Sequence, residues 1–356
     1  MSVTGAPQGH QLVLSRLVGG FADPLREVDL LNRDQPLKPY PPLRRWRYNA
    51  GIRLLIFVLA TLVISLAIGL AVGLALALLQ PGKTPQFDSI ATNALTIPGL
   101  VAGYLLLTMW WEQRRTGSII PEVSQAGLYE LTPRRAAGLL YGLAWGVVLQ
   151  LVCVGILAIV GVYQVHGFDW SYNIVPMLLG AGFGAAINEE ILFRGILYRL
   201  LEDTVGTWGA IAISGLSFGL VHLTNDHATL QGALAIALEA GVLFAALYAL
   251  TRSLWLVMGL HFAWNMVQGP ILGINVSGTS SAGSGYIRST LTGPDLLSGG
   301  GFGMEASLVT VVILTGIAIW AIVVLRQRGL VVEPSWIRRR RLAATAPVDP
   351  VQSDPR

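Results

Sequence analysis

Long apolar segments dominate this chain and restrict what it can fold into. A membrane-spanning helix needs about 20 mostly apolar residues, and eight segments of the sequence are of that order. They cover roughly 54–79, 90–111, 137–163, 173–198, 206–223, 231–250, 254–272 and 305–325. Only 12% of the residues are charged, against about 25% in soluble domains. The sequence therefore predicts an all-α, polytopic membrane protein with a bundle of eight transmembrane helices.

The basic residues are distributed unevenly between the predicted connections. Eight spans place both termini on one side, and all but Lys83 and Arg288 of the 24 Lys and Arg residues then fall on that side. Because cytoplasmic connections carry an excess of Lys and Arg, both termini are predicted to be cytoplasmic. The basic residues flank apolar segments and form no separate face. We therefore expect the lipid bilayer as a partner and no nucleic acid.

The predicted spans divide the chain into six parts. These are a polar cytoplasmic arm (1–50), the first three transmembrane helices (51–172), helices four to seven (173–272), a flexible outer loop rich in Gly and Ser (273–303), the eighth helix (304–326) and a basic cytoplasmic tail (327–356). The single cysteine, Cys153, excludes an internal disulfide and any multi-cysteine metal site.

Five ionisable residues lie well inside the predicted spans: Glu189, Glu190, His222, Glu239 and His261. Each costs about 2–3 kcal/mol or more at the bilayer centre, so none is expected to face lipid without compensation. Glu239 has no Lys or Arg within four positions. Two interpretations of it stay open. We favour an uncharged acid that bonds to a neighbouring helix over a group that lines a substrate cavity.

The fourth span contains two adjacent carboxylates and an arginine, in the sequence AAINEEILFRGILYR (185–199). At about 100° per residue, Arg194 lies one turn beyond Glu190, whereas Glu189 points to a different side of the helix. Pairing with Arg194 would make Glu190 a fixed anion. Glu189, without such a partner, is a candidate general base. For these three residues alone, a buried ion cluster that joins helices is the alternative.

Two further spans each carry a histidine one turn from a second motif residue. The sequence SFGLVH ends helix five with Phe218 and His222, and LHFAWN in helix seven contains His261 and Asn265. An imidazole and an amide on one helix face provide two hydrogen-bond donors inside a bundle. Such a pair suits stabilisation of a developing oxyanion, and it also suits plain interhelical hydrogen bonding.

In chain order these motifs read EExxxR, FxxxH and HxxxN. The ordered set resembles the CAAX-protease and bacteriocin-processing family of intramembrane proteases, also called the abortive-infection-like family, over about 173–272. The resemblance implies that 173–272 is a catalytic core, in which Glu189 activates the attacking water with His222 beside it. It implies an oxyanion hole made by His261 and Asn265. The supporting residues that it implies are Glu190, Arg194 and Phe218.

The family was first classed as metal-dependent, and its later interpretation is as a glutamate-type peptidase without a metal. Glu189, His222 and His261 could together bind zinc. Asn265 is a poor zinc ligand but a good donor, which favours the oxyanion role for His261. We therefore favour a site without a metal or other cofactor, with zinc as the alternative.

The predicted function is an intramembrane endopeptidase that hydrolyses a peptide or membrane-protein substrate. Only Lys38 and Lys83 are lysines among the 24 basic residues, and this arginine bias indicates a GC-rich bacterial genome. The predicted location is therefore a bacterial plasma membrane, where a prenylated CAAX substrate is not expected. One alternative is a non-catalytic immunity or scaffold protein of the same fold. Another is a proton-coupled transporter, although the repeats typical of one are not found.

Overall fold

A computed structural model describes residues 50–79, 133–279 and 284–345, with the isolated positions 97, 99 and 101. Three predicted features therefore lie largely or wholly outside the described residues. They are the N-terminal arm (1–50, apart from Ala50), the second span (90–111, apart from the three isolated positions) and the last part of the tail (346–356).

The described chain is mostly helical. Its helices are α1 (Ala50–Leu79), α2 (Pro133–Ile159), α3 (Val175–Thr224), α4 (Leu230–Thr251), α5 (Leu254–Met266), α6 (Leu308–Gln327) and α7 (Ser335–Thr345). A π-helical turn, Val267–Ile271, continues α5. Among the described residues, α1, α2, α3, α4 and α6 are long and apolar enough to cross a membrane. A bundle of membrane helices is thus confirmed, while the count of eight and the cytoplasmic termini stay predictions.

Helix α3 runs through both the fourth and the fifth predicted spans. It is bent at Gly206, where φ is 76° and ψ is 175°. A side chain disfavours this positive φ, so glycine suits the bend. The N–H of Thr207 donates to the carbonyl of Val332 instead of to its own helix. The two predicted spans therefore correspond to two arms of one bent helix.

Both α3 and α4 contain π-helical turns near their acidic residues. In α3 the turns Leu178–Ala185 and Ile191–Tyr198 flank the short α-helical stretch Ala186–Glu190. In α4 the π-helical turn is Ala237–Val242. Such turns widen a helix locally and are frequent at functional sites, so they mark these stretches as candidates for a functional site.

Helices α3 and α4 meet with their backbones in contact. A Cβ atom on Gly241 would lie 2.4 Å from the carbonyl oxygen of Gly215, which is far inside a van der Waals contact. Only glycine at this crossing allows so close an approach. The crossing brings the backbone carbonyls of α4 within reach of side chains on the first arm of α3.

The structure contains a two-stranded antiparallel ribbon that the all-α prediction did not include. Strand β1 (Tyr163–Phe168) follows α2 and pairs with strand β2 (Ile287–Leu291). An ion pair between Arg288 and Asp169, 2.9 Å apart, lies beside it. The hydroxyl of Ser171 and then the Arg288 guanidinium lower the pKa of Asp169 to about 2.

The connection between α5 and α6, for which a flexible loop is predicted at 273–303, contains short regular elements. Its described part contains β2 and the helical turns Asp295–Ser298 and Gly300–Phe302, followed by the turn Met304–Ala306. Asn275 and Phe302 are buried in it. At least one glycine of this connection meets a packing requirement. Gly273, for example, has φ 69°, and a Cβ there would lie 2.2 Å from the carbonyl oxygen of Ile287.

Candidate active site

The motif residues come together where α3, α4 and α5 meet the connection 272–307. A cavity at this place includes about 410 Å³ of space between atoms, its mouth included. Its walls are mostly apolar. The polar and ionisable residues that line it are His222, Glu239, His261, Asn265, Ser277 and Glu305.

Glu190 and Arg194 form a fully buried ion pair within α3. Arg194 Nη1 lies 2.9 Å from Glu190 Oε1, as the spacing of one turn predicts. Arg194 Nη2 donates to the carbonyls of Ala240 and Gly241 at 3.0 and 3.2 Å, which fixes it against α4. Its guanidinium also lies 4.4 Å from the ring centroid of Phe218, a favourable cation–π position. Glu190 Oε1 is thus bonded to an arginine that α4 and Phe218 hold in place.

His261 is attached to the same carboxylate. Its Nδ1 lies 2.9 Å from Glu190 Oε1, the oxygen that also accepts from Arg194. Because a carboxylate paired with arginine accepts hydrogen bonds, Nδ1 carries the hydrogen. The ring nitrogen left for a ligand is therefore Nε2.

His222 and Glu189 face each other across a short gap. His222 Nδ1 lies 2.7 Å from the carbonyl oxygen of Phe218, and since a carbonyl only accepts, Nδ1 is the donor. Nε2 lies 4.0 Å from Glu189 Oε2, which is beyond a direct hydrogen bond. Oε2 has no hydrogen-bond partner among the described residues. Two acceptors at this separation can share one water molecule.

Asn265 and Phe218 both occupy packed positions. Asn265 Nδ2 donates to the carbonyl of Ala181 at 2.8 Å and so joins α5 to α3. Its amide has a second N–H, and the side chain also lines the cavity. The Phe218 ring packs at 5.0 Å from the His222 ring and 6.1 Å from the His261 ring, centroid to centroid. Phe218 thus separates the two imidazoles and covers Arg194.

The structure therefore brings all seven predicted site residues into one region. His222, His261 and Asn265 line the cavity itself, and Glu189 is next to it across the gap to His222. The expectation of a site without a metal stays a prediction. In the described part of the chain, no three His, Cys, Asp or Glu side chains are placed to hold a metal ion, and this includes Glu189, His222 and His261.

Glu305 was missed by the sequence reasoning, although it lines the cavity opposite the motifs. Its Oε1 accepts from Trp264 Nε1 at 3.1 Å and from the Ser277 hydroxyl at 3.2 Å, and its Oε2 accepts from the Ser277 N–H. The available signal was a single carboxylate between Asp295 and Arg326 in an otherwise uncharged stretch. No spacing motif links it to α3 or α5.

A second buried acid–arginine pair lies away from the cavity. Arg252 and Glu202 are separated by 50 positions and make two contacts, Nη1–Oε2 at 2.5 Å and Nη2–Oε1 at 2.9 Å. The Tyr198 and Thr207 hydroxyls also donate to Glu202 Oε1, at 2.9 and 2.8 Å. This cluster was not predicted, because Arg252 was counted only as a basic residue at a helix end.

The C-terminal segment packs beside this second pair. Arg338 Nη2 donates to the carbonyl of Asp203 at 2.6 Å. His222, at the far end of the second arm of α3, lies instead near the α5–α6 connection, since the neighbouring Asn225 donates to the carbonyl of Ser277. The cavity wall at Ser277 and the packed tail therefore lie at opposite ends of the bundle.

Comparison with known proteins supports the resemblance seen in the motifs. Residues 171–267 match the family described as type II CAAX prenyl endopeptidase Rce1-like. YdiL of Bacillus subtilis (strain 168), which is provisionally named a membrane peptidase, is 33% identical over 89 residues, 25% of this chain and 34% of that protein. The chain thus spans about a third of the length of this curated relative. No solved structure matches this chain.

Proposed function

We propose that this chain, whose residues 171–267 match the Rce1-like CAAX endopeptidase family, is an intramembrane endopeptidase of the glutamate type. The observation that carries the proposal is the division of labour between two adjacent carboxylates. Glu190 is held by Arg194 and His261, whereas Glu189 Oε2 has no hydrogen-bond partner among the described residues and faces His222 at 4.0 Å. Glu189, which is bonded to neither Arg194 nor His261 and which faces His222, is therefore the candidate general base.

In the proposed reaction a water molecule lies between Glu189 and Nε2 of His222. Glu189 takes a proton from this water as its oxygen attacks the carbonyl carbon of the scissile peptide. General-base assistance of this kind contributes about 10²–10⁴-fold to a rate. His222 directs the water, because its Nδ1 is fixed by the carbonyl of Phe218 and its Nε2 then points at the gap.

Charge that develops on the carbonyl oxygen needs donors close by. In its protonated form, His261 donates from Nε2 while Glu190 accepts from Nδ1. The second N–H of Asn265 is the other candidate donor. The C–N bond then breaks, and Glu189 returns its proton to the leaving amine nitrogen. Preorganised donors of this type are commonly the largest single contribution to catalysis of acyl transfer.

A comparison of protein termini in membranes would test the proposal. Membranes carrying the wild type, Glu189→Ala or Glu333→Gln are scored for new peptide termini. Glu333 pairs with Arg341 in the tail segment and serves as a matched control outside the site. We expect termini that depend on Glu189 and persist in the control. Termini that are identical in the wild type and in Glu189→Ala would reject a peptidase and favour the immunity or scaffold alternative.

We also propose that the protein is in a bacterial plasma membrane with both termini in the cytoplasm. The uneven distribution of Lys and Arg supports this orientation. Because the tail and the wall at Ser277 lie at opposite ends of the bundle, that wall is then on the non-cytoplasmic side. Peptides reaching the cavity from that end would be exported segments or outer portions of membrane proteins.

Cysteine labelling on intact cells would test the orientation. The native Cys153 is fully buried and is not expected to interfere. Leu296 and Trp336 are exposed, in the α5–α6 connection and in α7 respectively. Leu296→Cys should react with a membrane-impermeant maleimide outside the cell, and Trp336→Cys only after permeabilisation. The reverse pattern would place the cavity wall on the cytoplasmic side.

A further inference from the structure

Glu239 is a buried acid in the wall of the cavity. It is 1% exposed, belongs to the π-helical turn of α4 and lines the same cavity as His222 and His261. Its Oε2 has no hydrogen-bond partner among the described residues. The favoured interpretation from the sequence, a bond to a neighbouring helix, stays a prediction, since the second predicted span lies largely outside the described residues. A buried polar group without a partner is costly, so its position calls for a ligand.

Glu305 provides a second carboxyl group in the same cavity. Trp264 and Ser277 donate to it from two sides, which fixes its position at the wall made by the α5–α6 connection. Glu305 is close enough to Glu239 to act on it electrostatically. In the described part of the chain, no Lys or Arg lines this cavity. Among the described residues, Glu239 and Glu305 are therefore two acids in one cavity without a lysine or arginine, and the imidazoles of His222 and His261 are the lining groups that can carry positive charge.

The apolar walls restrict what could fit beside this pair. Ile236, Leu243, Phe244 and Leu314 surround the space that leads to the two carboxyl groups. A lysine or arginine side chain has an apolar stem and a cationic head, and it can bury the first while the second meets an acid. A neutral aliphatic side chain would fill the walls but would leave Glu239 without a partner.

We propose that Glu239 and Glu305 form an acidic subsite that binds a lysine or arginine side chain of the peptide substrate near the scissile bond. The inference rests on the proposed peptidase function, since His222, His261 and Asn265 line the same cavity as the two acids. It names the substrate class of that site, a peptide with a basic residue at one defined position. It also gives Glu239 a role that the catalytic motifs leave unexplained.

The test uses the purified full chain in detergent and a library of quenched fluorescent peptides. Each position of the library carries Lys, Arg, acetyl-lysine, Leu or Glu in turn. At one position, kcat/KM for Lys or Arg should exceed that for Leu or acetyl-lysine by about 10-fold or more, the effect of one charge-assisted hydrogen bond. Acetyl-lysine keeps the length of the side chain and removes its charge. This comparison is made on the wild type and does not depend on how a variant folds.

Two variants then assign the preference to the proposed residues. Glu239→Gln and Glu305→Gln should each lower the ratio of basic to Leu peptides several-fold, mainly through the basic peptide, while Glu333→Gln should keep it. Cleavage that depends on Glu189 but shows no basic preference would overturn the subsite and leave the peptidase proposal intact. A basic preference that survives both Gln variants would also overturn it. A library with no Glu189-dependent cleavage would reject the peptidase function, and the subsite with it.

Discussion

Two buried acid–arginine pairs in this protein are built differently. Glu190 and Arg194 are one turn apart on α3. One oxygen of the Glu190 carboxylate, Oε1, accepts from both Arg194 and His261. Glu202 and Arg252 come from different helices and use both carboxylate oxygens. In the first pair, Glu190 Oε2 and Arg194 Nε have no hydrogen-bond partner among the described residues.

The difference separates a pair that holds a site from a pair that holds the fold. Tyr198 and Thr207 of the same helix add two donors to Glu202, so its carboxylate accepts from three side chains, Arg252 included. A buried ion pair repays its desolvation only with such additional bonds. In the pair at the cavity, the Glu190 carboxylate instead accepts a hydrogen bond from His261, a residue that takes part in the proposed reaction. The following variants should therefore affect activity and stability in different proportions.

The largest combined effect is expected for Arg194→Met. It leaves Glu190 buried without its main counter-charge, which typically costs about 3–5 kcal/mol of stability. It also frees the carboxylate on which His261 depends, so cleavage should be lost as well. Melting in detergent and cleavage of a Glu189-dependent substrate would be measured together. Normal melting with normal cleavage would show that the pair at the cavity supports neither fold nor site.

Replacing a carboxylate by an amide should separate the two regions. Glu189→Gln should lower kcat/KM by about 10²–10⁴-fold, since it removes the general base, while the melting temperature stays unchanged. Glu202→Gln should do the opposite, because it leaves Arg252 without an anion. Both variants keep the shape of the side chain. A stable, fully active Glu189→Gln protein would contradict the assignment of the base.

Arg252→Met should affect stability alone. We expect a loss of about 3–5 kcal/mol for a buried pair broken on one side, with kcat per folded molecule unchanged. Arg288→Met is the matched control, because Arg288 pairs with Asp169 on the surface and exposed pairs contribute little. Equal melting temperatures of the two variants would show that the Glu202–Arg252 pair does not stabilise the fold.

The double variant Glu202→Leu with Arg252→Met extends this control. Removing both charges avoids the stranded partner, so most of the stability lost in Arg252→Met should return. Thermal melting of the double variant beside the single one would measure the recovery. No recovery would mean that the hydroxyls of Tyr198 and Thr207 need the carboxylate more than Arg252 does.

The smallest effect is expected from chelation. If Glu189 and His222 activate water without a metal, o-phenanthroline should leave cleavage unchanged. A zinc peptidase treated in parallel would report that the chelator works. Loss of cleavage that added zinc restores would instead favour the alternative in which Glu189, His222 and His261 bind the metal.

Local spacing explains what could be predicted of the site. Glu190 and Arg194 are one turn apart, so helical periodicity alone places them together. The bend of α3 was anticipated as a boundary between two spans, although the role of Gly206 was not. Glu305 and the Glu202–Arg252 pair could not be predicted, because each depends on which helices meet. The ribbon was missed because its strands are short and the glycines near β2 were taken as a sign of a loop.

The ribbon also orders one wall of the cavity before a ligand binds. Strand β2 belongs to the same connection as Ser277 and Glu305, and its pairing with β1 ties that connection to the end of α2. Ordering the backbone of one residue costs about 1–2 kcal/mol of conformational entropy. If a ligand had to order this wall, its binding would be weaker by this free energy for each residue that became ordered. With the wall tied down during folding, that entropy is lost before any peptide arrives, and binding is preorganised.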